Sequence, residues 1–282
     1  MVDLLKPLKE IKSEDKRNIL FVALGLFFVL FSYPLTRATT TSIFIQAFGA
    51  KSSPVVWLAS VVGLSFVIAI YNRVQIKLKI HSLYLYTSIF TVIFFLIGTA
   101  FFHYGFIYAA YPIFVWKEIY IVLQVHMLYA YLTSSTTIRN AKLLYGPVGA
   151  IGSVGGVLGG IFTSTLTKTF NTEQILILGT APILISALLF FKTDKNKVIS
   201  ELMKQEGSES SKPINSVKPV IGYVLLIGLV VTLSQFIINL ANFKFNFLLQ
   251  DIVPTKIGKT QYLGKLYSMI NGLSLIIQIF II

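Results

Sequence analysis

Residues 43–70 read IFIQAFGAKSSPVVWLASVVGLSFVIAI, and residues 247–282 read FLLQDIVPTKIGKTQYLGKLYSMINGLSLIIQIFII. Each stretch is an apolar helix end, a short polar loop containing a proline, and a new apolar helix. The first loop centres on Lys51-Ser52-Ser53-Pro54, and the second passes through Pro254 and residues 256–259. A parallel internal repeat of membrane helices marks a transporter built from two similar halves. The second half is expected to be incomplete, because its helix is still apolar at Ile282, where the sequence stops.

Composition identifies the solvent around this repeat. The chain is 55% apolar and only 12% charged, with a mean hydropathy of +0.77. A soluble domain carries about 25% charged residues. Apolar runs of about 20 residues recur, each long enough to cross a hydrocarbon core of about 30 Å. These features exclude a soluble globular domain. The first 18 residues are too charged for a secretory signal peptide, so the first span is expected to remain in the mature protein. The absence of cysteine excludes disulfides and thiolate metal sites.

The pattern predicts an all-α, polytopic membrane bundle. Spans fall at about residues 18–48, 55–72, 82–102, 106–137, 146–167 and 174–191, then 219–249 and from 262 onward. The expected organisation is an N-terminal segment (1–17), a six-helix half (18–191), a polar linker (192–218) and the start of a second half (219–282). No connection is long enough to form a soluble domain.

A net charge of +13 could suggest nucleic acid, but its distribution does not. Alternate loops on one side of the predicted topology hold sixteen Lys and Arg, among them Lys16, Arg17, Arg73, Lys77 and six linker lysines. The other side holds four: Lys51, Lys168, Lys256 and Lys259. Short basic loops stay cytoplasmic, which puts the N-terminus and linker inside. The basic balance therefore reflects topology and attraction to anionic lipid head groups, not nucleic-acid binding.

Polar residues inside spans need a partner or water. Arg37 lies in the run Thr36-Arg37-Ala38-Thr39-Thr40-Thr41-Ser42 of span 1. If it faced lipid it would cost about 2.5 kcal/mol or more; the alternatives are a water-filled interior or snorkelling to the interface. In span 7, Gln235, Asn239, Asn242 and Asn246 recur at steps of four, three and four. They stay within about 60° of one helical face, as expected for the lining of a polar pathway or for interhelical hydrogen bonding. Lys244 lies about 200° around the helix from Asn242, so periodicity turns it away from that row. Its repeat position pairs it with Arg37 instead. Lys117 and Glu118 in span 4 are adjacent, so their side chains are expected to leave the helix on different faces. Glu118 is a structural ion-pair member or a coupling carboxylate, and His126 is a packed residue rather than a ligand. Span 5 is dense in glycine (146, 149, 152, 155, 156, 159 and 160), as close helix packing requires. No strand precedes it, which argues against a phosphate-binding loop.

Six spans, a basic linker and a restarting repeat resemble the major facilitator superfamily. Within it, the chain is similar to the ATP/ADP translocase (nucleotide transporter) family. Phe27-Phe28-Val29-Leu30-Phe31-Ser32-Tyr33 leading to Arg37 resembles that family's first helix and its Leu-Arg-x-x-Lys-Asp motif. Glu118 stands where the family has a helix 4 glutamate. Asn140-Ala141-Lys142-Leu143-Leu144-Tyr145-Gly146 resembles its Ala-Lys-Arg-x-Tyr-Pro stretch, and Asn242-Phe243-Lys244-Phe245-Asn246 its Asp-Tyr-Gln-Phe-Lys stretch. Thr40 and Thr41 replace the motif's Lys and Asp, while Asn242 and Asn246 replace the helix 7 Asp and Lys. The loop between spans 2 and 3 also departs from the superfamily signature, with Asn72-Arg73-Val74 and Lys77 in its place.

The resemblance implies a bacterial inner-membrane transporter that moves a solute by alternating access. The solute expected is a polar, anionic metabolite, with nucleotide-like compounds among those the family resemblance implies. Arg37 would face the anion, with Thr40 and Thr41 as hydroxyl contacts and Gln235, Asn239, Asn242 and Asn246 opposite. Lys117, Glu118 and Lys244 would serve coupling or structure. No cofactor or metal is implied, and the oligomeric state is left open. The alternative reading is a non-transporting scaffold or transporter remnant whose polar rows bind partner helices. An enzyme is not expected, because no carboxylate pair, histidine cluster or nucleophile–base set occurs at a membrane face.

Overall fold

The computed structural model describes residues 13–136, 138–193 and 218–281. The N-terminal residues 1–12 and linker residues 194–217 lie outside the described residues. Among the described residues there are nine α-helices and no strand. They are α1 (Ser13–Phe48), α2 (Ser53–Val74), α3 (Ile80–His103), α4 (Ala110–Ser134), α5 (Ile138–Leu166), α6 (Thr172–Leu178), α7 (Ala181–Phe191), α8 (Lys218–Ile252) and α9 (Lys256–Ile281). Eight stretches are long and apolar enough to cross a membrane, with α6 and α7 together forming the sixth.

The outer surface is unlike that of a water-soluble protein. The interior holds Ser32, Thr36, Thr39, Ser42, Ser88, Thr91, Gln124 and Ser186, while Val55, Leu58, Val62, Phe66, Phe90 and Leu188 are exposed. Water would reverse that arrangement, whereas lipid tails favour it. Inside, hydroxyls satisfy themselves locally or across helices. Thr39 donates to the Leu35 carbonyl at 2.6 Å, Ser42 to that of Ala38 at 2.8 Å, and Ser186 to that of Gly25 at 2.9 Å. The fold is thus that of an integral, multi-pass helical protein.

The sixth span breaks at Gly179-Thr180, just before Pro182. The Ile183 N–H bonds to the Thr180 carbonyl, which releases the Gly179 carbonyl from the helical ladder. The Ser32 hydroxyl of α1 donates to that carbonyl at 2.6 Å. A freed backbone acceptor at membrane depth is thereby satisfied. Gly179 also permits the approach itself, since a Cβ there would lie 3.0 Å from the Leu35 Cβ.

The α5 glycines divide between two neighbours. A Cβ on Gly155 or Gly159 would meet the Phe27 carbonyl oxygen at 2.2 Å or the Phe31 carbonyl oxygen at 2.1 Å, both on α1. A Cβ on Gly160 would meet the Ser268 nitrogen at 2.6 Å, and one on Gly264 the Ser164 nitrogen at 2.9 Å, across the α5–α9 contact. Two interleaved small-residue rows therefore hold α5 at backbone distance from α1 on one side and α9 on the other.

The main apolar core joins α1, α3, α4 and α7. A smaller cluster of Ala38, Ile45, Leu249 and Leu263 ties the far ends of α8 and α9 to α1. The rest of α8 stands clear, with all of its described side chains from Leu225 to Ala241 exposed. Two boundaries differ from sequence expectation. α5 begins at Ile138, and α9 begins at Lys256 instead of near residue 262. Hydropathy locates the membrane-spanning portion, while Lys, Gln and Asn continue a helix beyond it at little cost.

Candidate functional site

Between α8 and the group formed by α1, α2 and α4 lies a cavity of about 600 Å³, with α9 completing the wall. Arg37 and Thr41 of α1 line it, with Trp57 and Ser60 of α2 and Phe114, Lys117 and Glu118 of α4. Facing them are Gln235, Asn239, Asn242 and Asn246 of α8, together with Tyr267 of α9. The structure therefore brings all four amides and the span 1 arginine to one chamber. Steps of four, three and four place the amides on one stripe of α8, and that stripe is the one turned inward.

Arg37 is bracketed by aromatic rings. Its guanidinium carbon lies 4.6 Å from the Tyr267 ring centroid and 5.5 Å from that of Tyr33. Tyr33 precedes Arg37 by one helical turn, so the two share a face of α1. Tyr267 reaches the same cation from α9. Ring quadrupoles stabilise a cation by about 0.5–2 kcal/mol each, depending on desolvation. They hold the group without consuming its N–H donors on a carboxylate. Among the described residues, no carboxylate forms an ion pair with Arg37.

Two expectations need correction. Thr40 does not line the cavity; it is buried, and its hydroxyl donates to the Thr36 carbonyl at 2.7 Å. One residue step rotates a side chain by about 100°, and here that step turns Thr40 into the helix packing while Thr41 faces the chamber. Lys117 and Glu118 were expected on separate faces, yet they pair with each other at 2.8 Å and both line the cavity. The Lys117 stem is buried along the stripe that also carries Gln124 and Tyr131, and its flexible four-carbon chain curls back to the neighbouring carboxylate. The Lys117 ammonium also sits 3.5 Å from the Phe114 ring centroid. Lys244 is exposed and does not line the cavity, the direction that helical periodicity gives and repeat position does not. His126, expected as a packed residue, is instead exposed, with its ring in a T-shaped contact with Tyr71 at 5.8 Å between centroids.

One group of residues carried no signal considered by itself. Gln46 and Gln250 are each the fourth residue of the two repeated stretches quoted above, and both reach into the end of the bundle beyond the cavity. The Ala50 N–H donates to Gln250 Oε1 at 2.5 Å. Lys259 Nζ donates to Gln46 Oε1 at 3.3 Å and to the Pro254 carbonyl at 3.0 Å. Each glutamine thus binds across to the other repeat. Beside them Lys256 pairs with Glu173, and the Thr172 and Thr260 hydroxyls meet at 3.1 Å. At this end of the bundle the two repeated stretches are joined by polar contacts as well as by apolar packing.

No protein family, curated protein or solved structure matches the chain. Fold and site together describe a multi-pass helical membrane protein with a polar, aromatic-flanked internal cavity whose described lining carries two cations, Arg37 and Lys117, and one carboxylate, Glu118.

Proposed function

We propose that the protein is a membrane transporter that moves a polar, anionic metabolite by alternating access. The observation that carries this reading is the convergence of Arg37 and Thr41 with Gln235, Asn239, Asn242 and Asn246 on one cavity between α1 and α8. Polar side chains at membrane depth are costly unless they meet water, a partner or a solute. Here they face space, not one another. The internal repeat and the likeness of the Phe27–Arg37 region to nucleotide transporters support the reading, as does the position of the site between repeat-related elements. The basic-loop bias supports a cytoplasmic N-terminus, and a bacterial inner membrane is proposed only from the family resemblance. Two six-helix halves of the facilitator type are part of this proposal.

The test is uptake of labelled anionic metabolites by cells or proteoliposomes containing the full chain. Arg37→Ala should reduce uptake to background while leaving the amount and melting temperature of folded protein in place. Uptake equal to wild type in that variant would reject the assignment of the cavity as the transport site.

A second reading is favoured by one feature of α8. Its outer apolar side chains, including Leu226, Leu233, Phe236 and Ile237, are exposed along most of its length. A scaffold that docks partner helices there would show no uptake, and would co-purify stoichiometrically with a second membrane protein.

A further inference from the structure

Three formal charges face the cavity among the described residues, and two of them cancel. Lys117 and Glu118 form an ion pair at 2.8 Å. Arg37 remains, flanked by tyrosine rings and in no ion pair among the described residues, with Glu118 near enough to feel its charge, so the lining carries a net charge of one positive. Every other polar group on the lining is neutral: the four α8 amides, Thr41, Ser60 and Tyr267. Val61, Leu64, Ile238 and Ile270 complete the walls.

We infer that the chamber is built for a monoanion, specifically a single carboxylate on a body bearing neutral hydrogen-bonding groups. The inference rests on the transport reading of the same cavity and specifies its solute class. A guanidinium presents a planar fork that takes a carboxylate through two parallel N–H···O bonds. Once that pair forms, the charge of the lining is matched. Each further negative charge would then have to be desolvated against amides, hydroxyls and alkyl groups, which penalises dianions and polyphosphates strongly. Amides both donate and accept, so the α8 row suits hydroxyl or amide groups on the solute without adding charge. A volume of about 600 Å³ admits a metabolite of ordinary size. The same arithmetic explains a departure noted in the sequence. The nucleotide-transporter motifs carry additional charged residues at the positions of Thr40, Thr41, Asn242 and Asn246. This lining carries none of them, and polyanions lose the cations they would need.

The experiment is isothermal titration of the full chain in lipid nanodiscs with two charge-matched series. One is glucose, gluconate and glucarate; the other is N-acetylglycinamide, N-acetylglycine and N-acetylaspartate; adenosine triphosphate serves as the polyanion. In at least one series the monoanion should bind about 10-fold or more tightly than its neutral and dianionic partners. Arg37→Gln should erase its advantage over the neutral compound, while Arg37→Lys, which keeps the charge but not the planar fork, should retain only part of it. The unliganded melting temperature of each variant reports whether it is folded. Tightest binding by a dianion or by adenosine triphosphate, lost in Arg37→Gln, would overturn the monoanion assignment and leave the cavity reading intact. If no monoanion in the panel binds, the monoanion assignment is likewise overturned. Binding that is indifferent to Arg37→Gln would overturn both.

Discussion

The contact between α1 and α5 makes a sharp energetic prediction at Gly155 and Gly159. A methyl group at either position would stand 2.2 Å from the Phe27 carbonyl oxygen or 2.1 Å from that of Phe31. Both distances are more than ~1 Å short of ordinary carbon–oxygen contact. The obstacle is helical backbone, so no rotamer change relieves it; the two helices must separate, and neighbouring side chains lose contact along the seam. Overpacking of this kind costs about 1–3 kcal/mol, and a backbone obstacle places each alanine at the upper end. At about 2–4 °C per kcal/mol for a chain of this size, Gly159→Ala should lower the melting temperature by roughly 5–10 °C. Gly155→Ala should do the same, with the double variant falling short of the sum because one separation relieves both clashes. Gly272→Ala is the internal control. Its added Cβ would lie 3.9 Å from Val157 Cγ2, an ordinary contact, and alanine gains up to about 1 kcal/mol of helix propensity over glycine. It should therefore melt at or above the wild-type temperature. The assay is thermal unfolding of detergent-purified protein by intrinsic fluorescence. A Gly159→Ala variant as stable as wild type, beside a neutral Gly272→Ala, would refute backbone-distance packing of α5 on α1.

Glu118→Gln leaves the buried Lys117 ammonium without its partner and should cost about 3 kcal/mol by the same thermal assay; adding Lys117→Met should recover most of the loss, as apolar replacement of buried pairs generally does. Asn239→Leu should cut uptake at least 10-fold with little change in melting temperature, whereas Lys244→Ala, which lies off the cavity, should leave uptake within about twofold of wild type. The chain has no native cysteine, so Glu173→Cys with Lys256→Cys introduces a unique thiol pair. Joining it with a short bifunctional reagent should leave net uptake within about twofold of wild type, because Lys256 belongs to α9 and lies at the end where α8 pivots; loss of uptake on complete cross-linking would refute a stationary α9.

Much of this architecture was legible because the membrane removes alternatives. Hydropathy places eight spans, and residues such as Gln235, Asn239, Asn242 and Asn246 stand out against an apolar background as they would not in a soluble protein. Their common face follows from period alone, and so does the outward direction of Lys244. Thr40 was misplaced because a sequence motif groups neighbours that a helix separates by about 100°. The Lys117–Glu118 pair was misread for the opposite reason: face assignments describe Cβ directions, whereas a lysine ammonium lies several bonds farther out and can return to its neighbour. Tyr267 was invisible, since its meeting with Arg37 depends on how α9 crosses α5. That crossing is set by Gly160 and Gly264, a relation between distant positions that no local pattern contains. Gln46 and Gln250 could have been found from the repeat, as matched polar residues beside matched loops.

The two glycine rows also decide which wall of the cavity is stiff. Gly155 and Gly159 hold α5 against α1, and Gly160 with Gly264 holds it against α9, so α1, α5 and α9 form one slab at backbone separation. Arg37 and Tyr267 both project from that slab, and their ring–cation contact of 4.6 Å is fixed by it. Packing this dense deforms little, because any shear brings backbone atoms into collision. α8 is attached differently. Leu249 and Phe245 anchor one end to the small cluster around Ala38, and Gln250 bonds to the Ala50 N–H, while the amide row from Gln235 to Asn242 crosses open space. A helix held at one end pivots there at the cost of few contacts, whereas displacing α9 would break a glycine seam along several turns. On the transport reading proposed above, access to the cavity would vary through α8, with the Gln250 end as its pivot, and the amides would be the part of the site that moves relative to a stationary guanidinium.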